Sequence, residues 1–531
     1  MSANSSAIRA EARRRRTFAV ISHPDAGKST LTEALALHAR VIHEAGAVHG
    51  KAGRQGVTSD WMAMERQRGI SVTSAALQFE YRDVVLNLLD TPGHADFSED
   101  TYRVLSAVDC AVMLLDAAKG LEPQTLKLFD VCRHRELPVI TFINKWDRPG
   151  REALDLLDEI EQRLGIVPTP VTWPVGIAGH FEGLVDRRDA DRVIRFTRTA
   201  GGATTAGEQR MAITEPLKLE MSGLGQAAEE LELLEQIGAD HDGETFLAGA
   251  STPVFFGAAV SNIGVRLLLD AVIDLAPAPS ERLTTDGEAI PLDGGFSGLV
   301  FKVQANMDPA HRDRIAFVRV CSGIFERGMT LTHVATGRPF ATKYAHSMFG
   351  RERTSVERAY PGDVVGLVNA GALHPGDTLT EGERFTFPPM PVFAPEHFAT
   401  VRATDPSRAK QFRRGIAQLE AEGVVQVLTS DRRGGQSPVL GAVGPMQFEV
   451  ALHRLQHEFN APAVLDTLPY RLARRTDRAG EEWLSQTRGV EVLTRARDGE
   501  LLALFTDDYR LGSISRERPE VKLESLVAQV A

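Results

Sequence analysis

Ser22-His23-Pro24-Asp25-Ala26-Gly27-Lys28-Ser29 is the stretch from which the rest of the chain can be read. An apolar run, Thr17 to Ile21, precedes it, and Thr30 to Ala45 follows without an internal proline or glycine. Strand, tight loop ending in Gly-Lys-Ser, then helix is the setting of a phosphate-binding loop. Backbone N–H groups at a helix N-terminus point at the anion, and the helix dipole favours negative charge there. Lys28 is expected to reach the β- and γ-phosphates and Ser29 to place its hydroxyl on Mg²⁺. The first glycine usual in such loops is replaced by Ser22, a residue still small enough for the turn.

Moving outward, apolar runs alternate with helical patterns. Val84–Leu89 ends in Asp90, Cys110–Leu115 in Asp116, Val139–Ile143 in Asn144, and Thr252–Phe256 in Gly257. Near-continuous apolar strands are buried on both faces, which predicts a mostly parallel α/β sheet. Ala153, Leu157, Ile160 and Leu164 mark one face of a helix between strands. Ligands of such sheets sit at the carboxyl ends of strands, where these polar residues fall.

Asp90-Thr91-Pro92-Gly93-His94 supplies a strand-end carboxylate able to hold Mg²⁺ and a glycine that lets a backbone N–H approach the γ-phosphate. Asn144-Lys145-Trp146-Asp147 supplies a base-reading element. The Asp147 carboxylate can accept the ring N–H and the exocyclic amine of guanine, and adenine has no matching donor pair. Lys145 would lie along the base or brace the loop, and Asn144 would hold the loop together. Gly257-Ala258-Ala259 could offer a backbone N–H to the base oxygen. The three motifs, in this order and each at a strand end, predict a guanine-nucleotide site. The charged segment Asp60-Trp61-Met62-Ala63-Met64-Glu65-Arg66-Gln67-Arg68-Gly69-Ile70-Ser71 stands where a loop that orders on the γ-phosphate belongs, with Ser71 a further Mg²⁺ ligand.

The 531 residues are enough for about three domains. A formal charge of −11 excludes a generally basic nucleic-acid coat, though not local basic patches. Cys110, Cys132 and Cys321 are too scattered for a disulfide framework or a zinc site and suit a reducing cytoplasm. Arg13-Arg14-Arg15-Arg16 is followed by too short an apolar run for a signal peptide, and no run approaches a membrane span. The expectation is a soluble, cytoplasmic protein with the four arginines in a solvated N-terminal segment.

Residues 180–245 depart from the alternating pattern. Gly201-Gly202 and Glu229-Glu230-Leu231-Glu232 suggest an insertion with a helix and a structural role. Pro277-Ala278-Pro279 and the stretch to Gly295 read as a linker. Short strands then follow, 299–304, 314–321, 329–334 and 364–368, punctuated by turns such as Pro361-Gly362-Asp363, as in a small antiparallel barrel. After Phe387-Pro388-Pro389-Met390-Pro391 come a helix over 409–421, strands over 424–428 and 439–443, and a helix over 447–459, which suits an α/β sandwich. Arg413-Arg414, Arg432-Arg433 and Arg474-Arg475 could touch RNA, but a solvated surface is the expectation for each pair.

These motifs together resemble the translational GTPases of the elongation-factor superfamily. Residues 60–71, Ser22–Lys28 and Asp90–His94 bring the chain nearest to the bacterial class-II release factors. Phe97-Ser98-Glu99-Asp100-Thr101-Tyr102-Arg103, Val171–Gly176, Gln304–Pro309 and Gly441–Gly444 extend the likeness over nearly the whole chain. The resemblance implies an α/β P-loop GTPase domain (1–280), a β-barrel domain (281–387) and an α+β C-terminal domain (388–531). It implies GTP/GDP and Mg²⁺ as ligands, with Ser29, Ser71 and Asp90 toward the metal. Lys28 serves the phosphates, and His94 stands at the position that orients the attacking water, a role it is implied to take only on the ribosome. The implied partners are the ribosome, its RNA and proteins, and class-I release factors, which this GTPase would drive off after peptide release. A monomer is expected, with no membrane and no DNA partner. The alternative within the superfamily is an elongation factor G-like or ribosome-protection protein; outside it, a ribosome-binding scaffold with GTP as a structural ligand. Gly434-Gly435-Gln436 matches the tripeptide of class-I factors, but its place between two short strands reads as a hairpin turn.

Overall fold

The computed structural model describes residues 3–39, 76–92, 98–197, 205–305, 314–349, 352–368, 370–390, 393–430 and 437–526. Helix α1 (Ala3–Arg13) leads into β1 (Arg15–Ser22) and α2 (Lys28–His38). Then follow β2 (Ala76–Tyr81), β3 (Val84–Asp90), α3 (Ser98–Leu105), β4 (Cys110–Asp116), α4 (Pro123–His134), β5 (Val139–Asn144), α5 (Ala153–Leu164) and β6 (Val167–Pro170). The sheet order is β2-β3-β1-β4-β5-β11-β6, where β11 is Ser251–Phe256. All pairs are parallel except β2 with β3. β4, β5 and β11 are buried at every position, which is why they read as unbroken apolar runs. The chain places β3 on one side of β1 and β4 on the other. The strand order reverses at β1, and a crevice opens at its carboxyl end.

Between β6 and β11 lies the inserted unit. Strands β7 (Thr172–Val175), β8 (Gly183–Asp186), β9 (Arg192–Thr197) and β10 (Gly207–Ala212) form an antiparallel sheet, followed by α6 (Glu215–Glu220) and α7 (Gly223–Gln236). The unit begins at β7, ahead of the expected 180. Trp173 on β7 is fully buried, packs edge-on to Phe256 at 5.5 Å, and donates its Nε1–H to Glu230 of α7 at 2.9 Å. Glu230, in the acidic run, thereby ties α7 to β7. Helix α8 (Val265–Leu275) closes the domain and packs Val265, Leu268 and Val272 with Leu31 and Leu35 of α2.

The barrel strands run antiparallel in the order Arg338–Ala341, Thr330–His333, Thr378–Thr380, Ser297–Ala305, Arg314–Ser322, Val364–Val368 and Ala345–Phe349. The last of these pairs with β2 at Phe349 and Leu77, so barrel and GTPase sheet are continuous. The C-terminal domain is one seven-stranded sheet. Helices α9 (Ala409–Glu422) and α10 (Pro445–His457) close over it through Phe412, Ile416, Leu419, Ala451 and Leu455. Strands Leu472–Thr476, Val490–Arg495 and Leu501–Phe505 complete that sheet. No described helix is long and apolar enough to cross a membrane.

The arginine run is solvated only in part: Arg13 and Arg14 are exposed as expected, while Arg15 and Arg16 turn inward. Arg15 is buried, its Nε 2.9 Å from Asp363 and its guanidinium over the Tyr360 ring, both on a barrel loop. Arg16 donates to the Ile273 carbonyl and Arg14 to that of Asp83. Barrel residues cover the start of β1, where the buried Arg15 guanidinium meets the carboxylates of Asp363 and Glu11. Of the other arginine pairs, Arg474 and Arg475 bond to Ala473 and Glu500. Arg413 and Arg414 are exposed on α9, and Arg432-Arg433 lies outside the described residues, as does Gly434-Gly435-Gln436.

Candidate functional site

Five strand ends converge on the crevice. Ser22 closes β1, Asp90 β3, Asp116 β4, Asn144 β5 and Phe256 β11. Register puts Val20 beside Asp90 and Asp116 beside Asn144. Gly27 caps α2 with φ 99°, a left-handed conformation that favours glycine. A Cβ there would also fall 2.5 Å from the Asn144 amide, so the loop and the end of β5 touch across this position.

Lys28 is almost fully buried and its ammonium meets the Asp90 carboxylate. Among the described residues Asp90 Oδ2 has no partner, and neither does the buried hydroxyl of Ser22 at the end of β1. Buried polar atoms are nearly always satisfied, so orphans gathered at one crevice mark where a polar ligand belongs. Thr91 is turned inward, its hydroxyl donating to the Val20 carbonyl at 2.7 Å, and the Pro92 carbonyl accepts from Thr101. These two residues shape the loop.

Asn144 and Lys145 are each tied to two neighbouring segments. Asn144 donates from Nδ2 to the Ala26 carbonyl at 2.8 Å and accepts the Ala259 N–H on Oδ1 at 2.9 Å. One side chain therefore ties the phosphate loop to the loop after β11. The Lys145 ammonium bonds the Asp25 carbonyl and, at 2.8 Å, the Asp116 carboxylate. Burial alone would raise the Asp116 carboxyl, but Lys145 and the Ala118 N–H outweigh it and hold the group below its ordinary value. Asp147 Oδ1 is buried with no partner among the described residues, an acceptor open to a donor.

Two expectations need correction. Trp146 is 2% exposed and packs edge-on to Phe256 at 5.0 Å, so its ring is core and not a ligand contact. The N–H groups of Gly257 and Ala258 are already given to the carbonyls of Ile143 and Ile263, both at 3.0 Å. Neither can serve a base oxygen without breaking the turn. Gly93, His94 and Ser71, with the whole of 60–71, lie outside the described residues. What the motifs did not disclose is the contribution of the loop after β4, where Glu122 meets His23 at 3.2 Å. Only the strand-end position of Asp116 signalled it.

Known proteins resemble this arrangement along the whole chain. The Elongation factor Tu GTP binding domain family matches residues 13–278 and Elongation factor G domain 2 matches 295–382. The family described as Class II release factor RF3, C-terminal domain, matches 387–515. Peptide chain release factor 3 of Nostoc punctiforme is 48% identical over 96% of this chain and 95% of its own. That of Gloeobacter violaceus is 48% identical over 98% of both. A crystal structure of a Thermus thermophilus protein superposes with a TM-score of 0.68 at 21% identity, covering 92% of this chain and 71% of the other, a likeness of fold.

Proposed function

The chain belongs to the peptide chain release factor 3 family of translational GTPases, and from that premise we propose that it uses GTP to free ribosomes of class-I release factors after peptide release. It is a GTPase of translation termination. The observation that carries the reading is a full-length likeness to release factors joined to a crevice whose orphaned groups fit a guanine nucleotide.

The residues divide the work as follows. Amides at the start of α2 and the Lys28 ammonium take the phosphates. Asp147 accepts from guanine, and Asn144 and Lys145 keep the base loop and phosphate loop in register. Ser29, Asp90 and Ser71 are the groups for Mg²⁺, which when bound supplies positive charge against the developing phosphoryl charge. Hydrolysis needs positioning and electrostatics more than covalent chemistry. His94 orients the attacking water, and the ribosome brings it to the γ-phosphate. The protein works in the cytoplasm as a monomer, and its partners are the ribosome and the class-I factor.

A labelled class-I factor on post-termination ribosomes tests this directly. Its departure should accelerate with this protein and GTP, and not with a Lys28→Ala variant. Ribosome-stimulated GTPase activity with an unchanged departure rate would remove the termination role and leave another translational GTPase in its place.

A further inference from the structure

The loop from Ala117 to Glu122, between β4 and α4, carries none of the three nucleotide motifs, yet it and the strand end before it reach the phosphate loop at two points. At the first, Asp116 Oδ2 holds the Lys145 ammonium at 2.8 Å while that ammonium also bonds the Asp25 carbonyl. Asp25 and Lys145 both have φ 66°, a conformation that non-glycine residues rarely adopt without support. At the second, Glu122 Oε1 lies 3.2 Å from His23 Nε2 and 3.5 Å from the Lys119 ammonium.

The loop is itself anchored from α5 and the turn before it. Glu159 accepts the Leu121 N–H at 3.3 Å, and the Arg151 N–H donates to the Ala117 carbonyl at 3.0 Å. Gly120 has φ 68°, and a Cβ there would fall 2.2 Å from the Glu159 carboxylate. The segment is therefore pinned below and bonded above. The Lys145 ammonium is tied to both Asp25 and Asp116, which leaves its methylene stem as the part able to flank a base.

We propose that Asp116 and Glu122 are positioning residues that brace the phosphate loop and set the rate of guanine-nucleotide release, Asp116 acting through Lys145 and Glu122 through His23. This rests on the nucleotide site read above. A charge-assisted bond in a partly buried setting is strong enough for its loss to be read kinetically, and the more exposed His23 contact is weaker.

Dissociation of a fluorescent GDP from the full chain, chased with unlabelled GDP, measures it. Asp116→Asn keeps the shape and removes the charge, and release should quicken about 10-fold or more. In a Lys145→Ala background the same change should add nothing, because the partner is gone. Glu122→Gln should quicken release about 3-fold, and nothing further in a His23→Gln background. Release within about twofold of wild type for both single variants would overturn the brace. So would an Asp116→Asn effect that persists in Lys145→Ala, since the residue would then act through general stability. Asp147→Asn and wild type report on the site itself: a wild type that does not bind GDP would sink the site reading and the brace with it.

Discussion

Lys28 and Asp90 meet across the mouth of the crevice, and each is nearly or wholly inaccessible to water. An ammonium in that position has one further task when a triphosphate arrives, to balance charge that builds on the transferring phosphoryl oxygens. Lys28→Ala should therefore lower ribosome-stimulated GTP turnover by about 100-fold or more, read as kcat/KM. Asp147→Asn presents an amide where an acceptor is needed, and guanine-nucleotide affinity should fall by about 100-fold or more in an equilibrium titration. An unchanged affinity would remove Asp147 from the base site. The sequence singles these residues out because each lies in a short motif just after a strand: Asp90 closes β3, Lys28 opens the helix after β1, and Asp147 follows β5. The Gly257 and Ala258 amides were not, since their acceptors, Ile143 and Ile263, are fixed only when β5 and β11 pair and the turn closes. Trp146 was misread for a similar reason. Its neighbour Phe256 also supports Trp173, so its burial depends on an insertion whose contact with the sheet no local pattern announces.

At the scale of elements, α3 follows the Asp90 loop and is gripped at both ends of its polar face. Asp100 pairs with Lys302 of the barrel at 3.5 Å, while Arg103 pairs with Glu99 and points at the Glu422 carbonyl at the end of α9. Cations suit a helix C-terminus, where carbonyls lack partners. Gly423, with φ 77°, lets Arg103 in: a Cβ there would fall 2.1 Å from its Nη1. The Glu422 side chain is occupied elsewhere, accepting from Arg454 of α10 at 2.9 Å, with both groups buried. Burial would lower Arg454, but Glu422 and Glu458 outweigh it and raise its pKa above the ordinary value. Removing one member of a buried pair strands the other. Arg454→Met should cost about 3–5 kcal/mol of C-terminal domain stability by denaturant titration. The double variant with Glu422→Gln should recover much of that, and a double variant as weak as the single would show that packing by Arg454 matters more than charge.

The chain-level pattern located the helices Ala409–Glu422 and Pro445–His457 and the strands Gln426–Thr429 and Val439–Ala442 to within a few residues, and passed over His397–Ala403, which precedes them in the same sheet. It was silent on Leu472–Thr476, where Arg474 and Arg475 interrupt the apolar alternation that betrays a strand. Domain packing was hidden altogether. Arg15 reads as surface because four consecutive arginines usually are, and only the barrel loop carrying Tyr360 and Asp363 makes it interior. The same holds for Arg319 of the barrel, 2% exposed and 2.6 Å from Asp109 of the GTPase domain. Charges distributed this way are invisible to periodicity, since both partners look like ordinary surface residues until the domains meet.

The whole molecule also carries a pH dependence that can be signed. Burial holds His38, His241, His374 and His453 below their ordinary value, so each is neutral in the fold over a range where the unfolded chain binds a proton. Where the unfolded state binds more protons, stability rises with pH. Stability should therefore be level above the unfolded histidine value of about 6.5 and fall as pH drops below it. His38, at the end of α2, has a buried Nε2 without a partner among the described residues, with Glu208 and Asp270 favouring its charged form and Arg266 opposing it. Its burial outweighs the nearby carboxylates, and in His38→Gln the melting temperature should fall less steeply between about pH 7 and 5 than in wild type. Calorimetric scans across that window decide it: parallel slopes for the two proteins would mean that His38 is not among the groups whose protonation unfolds the chain, and a slope of opposite sign would mean that the carboxylates beside it prevail over burial.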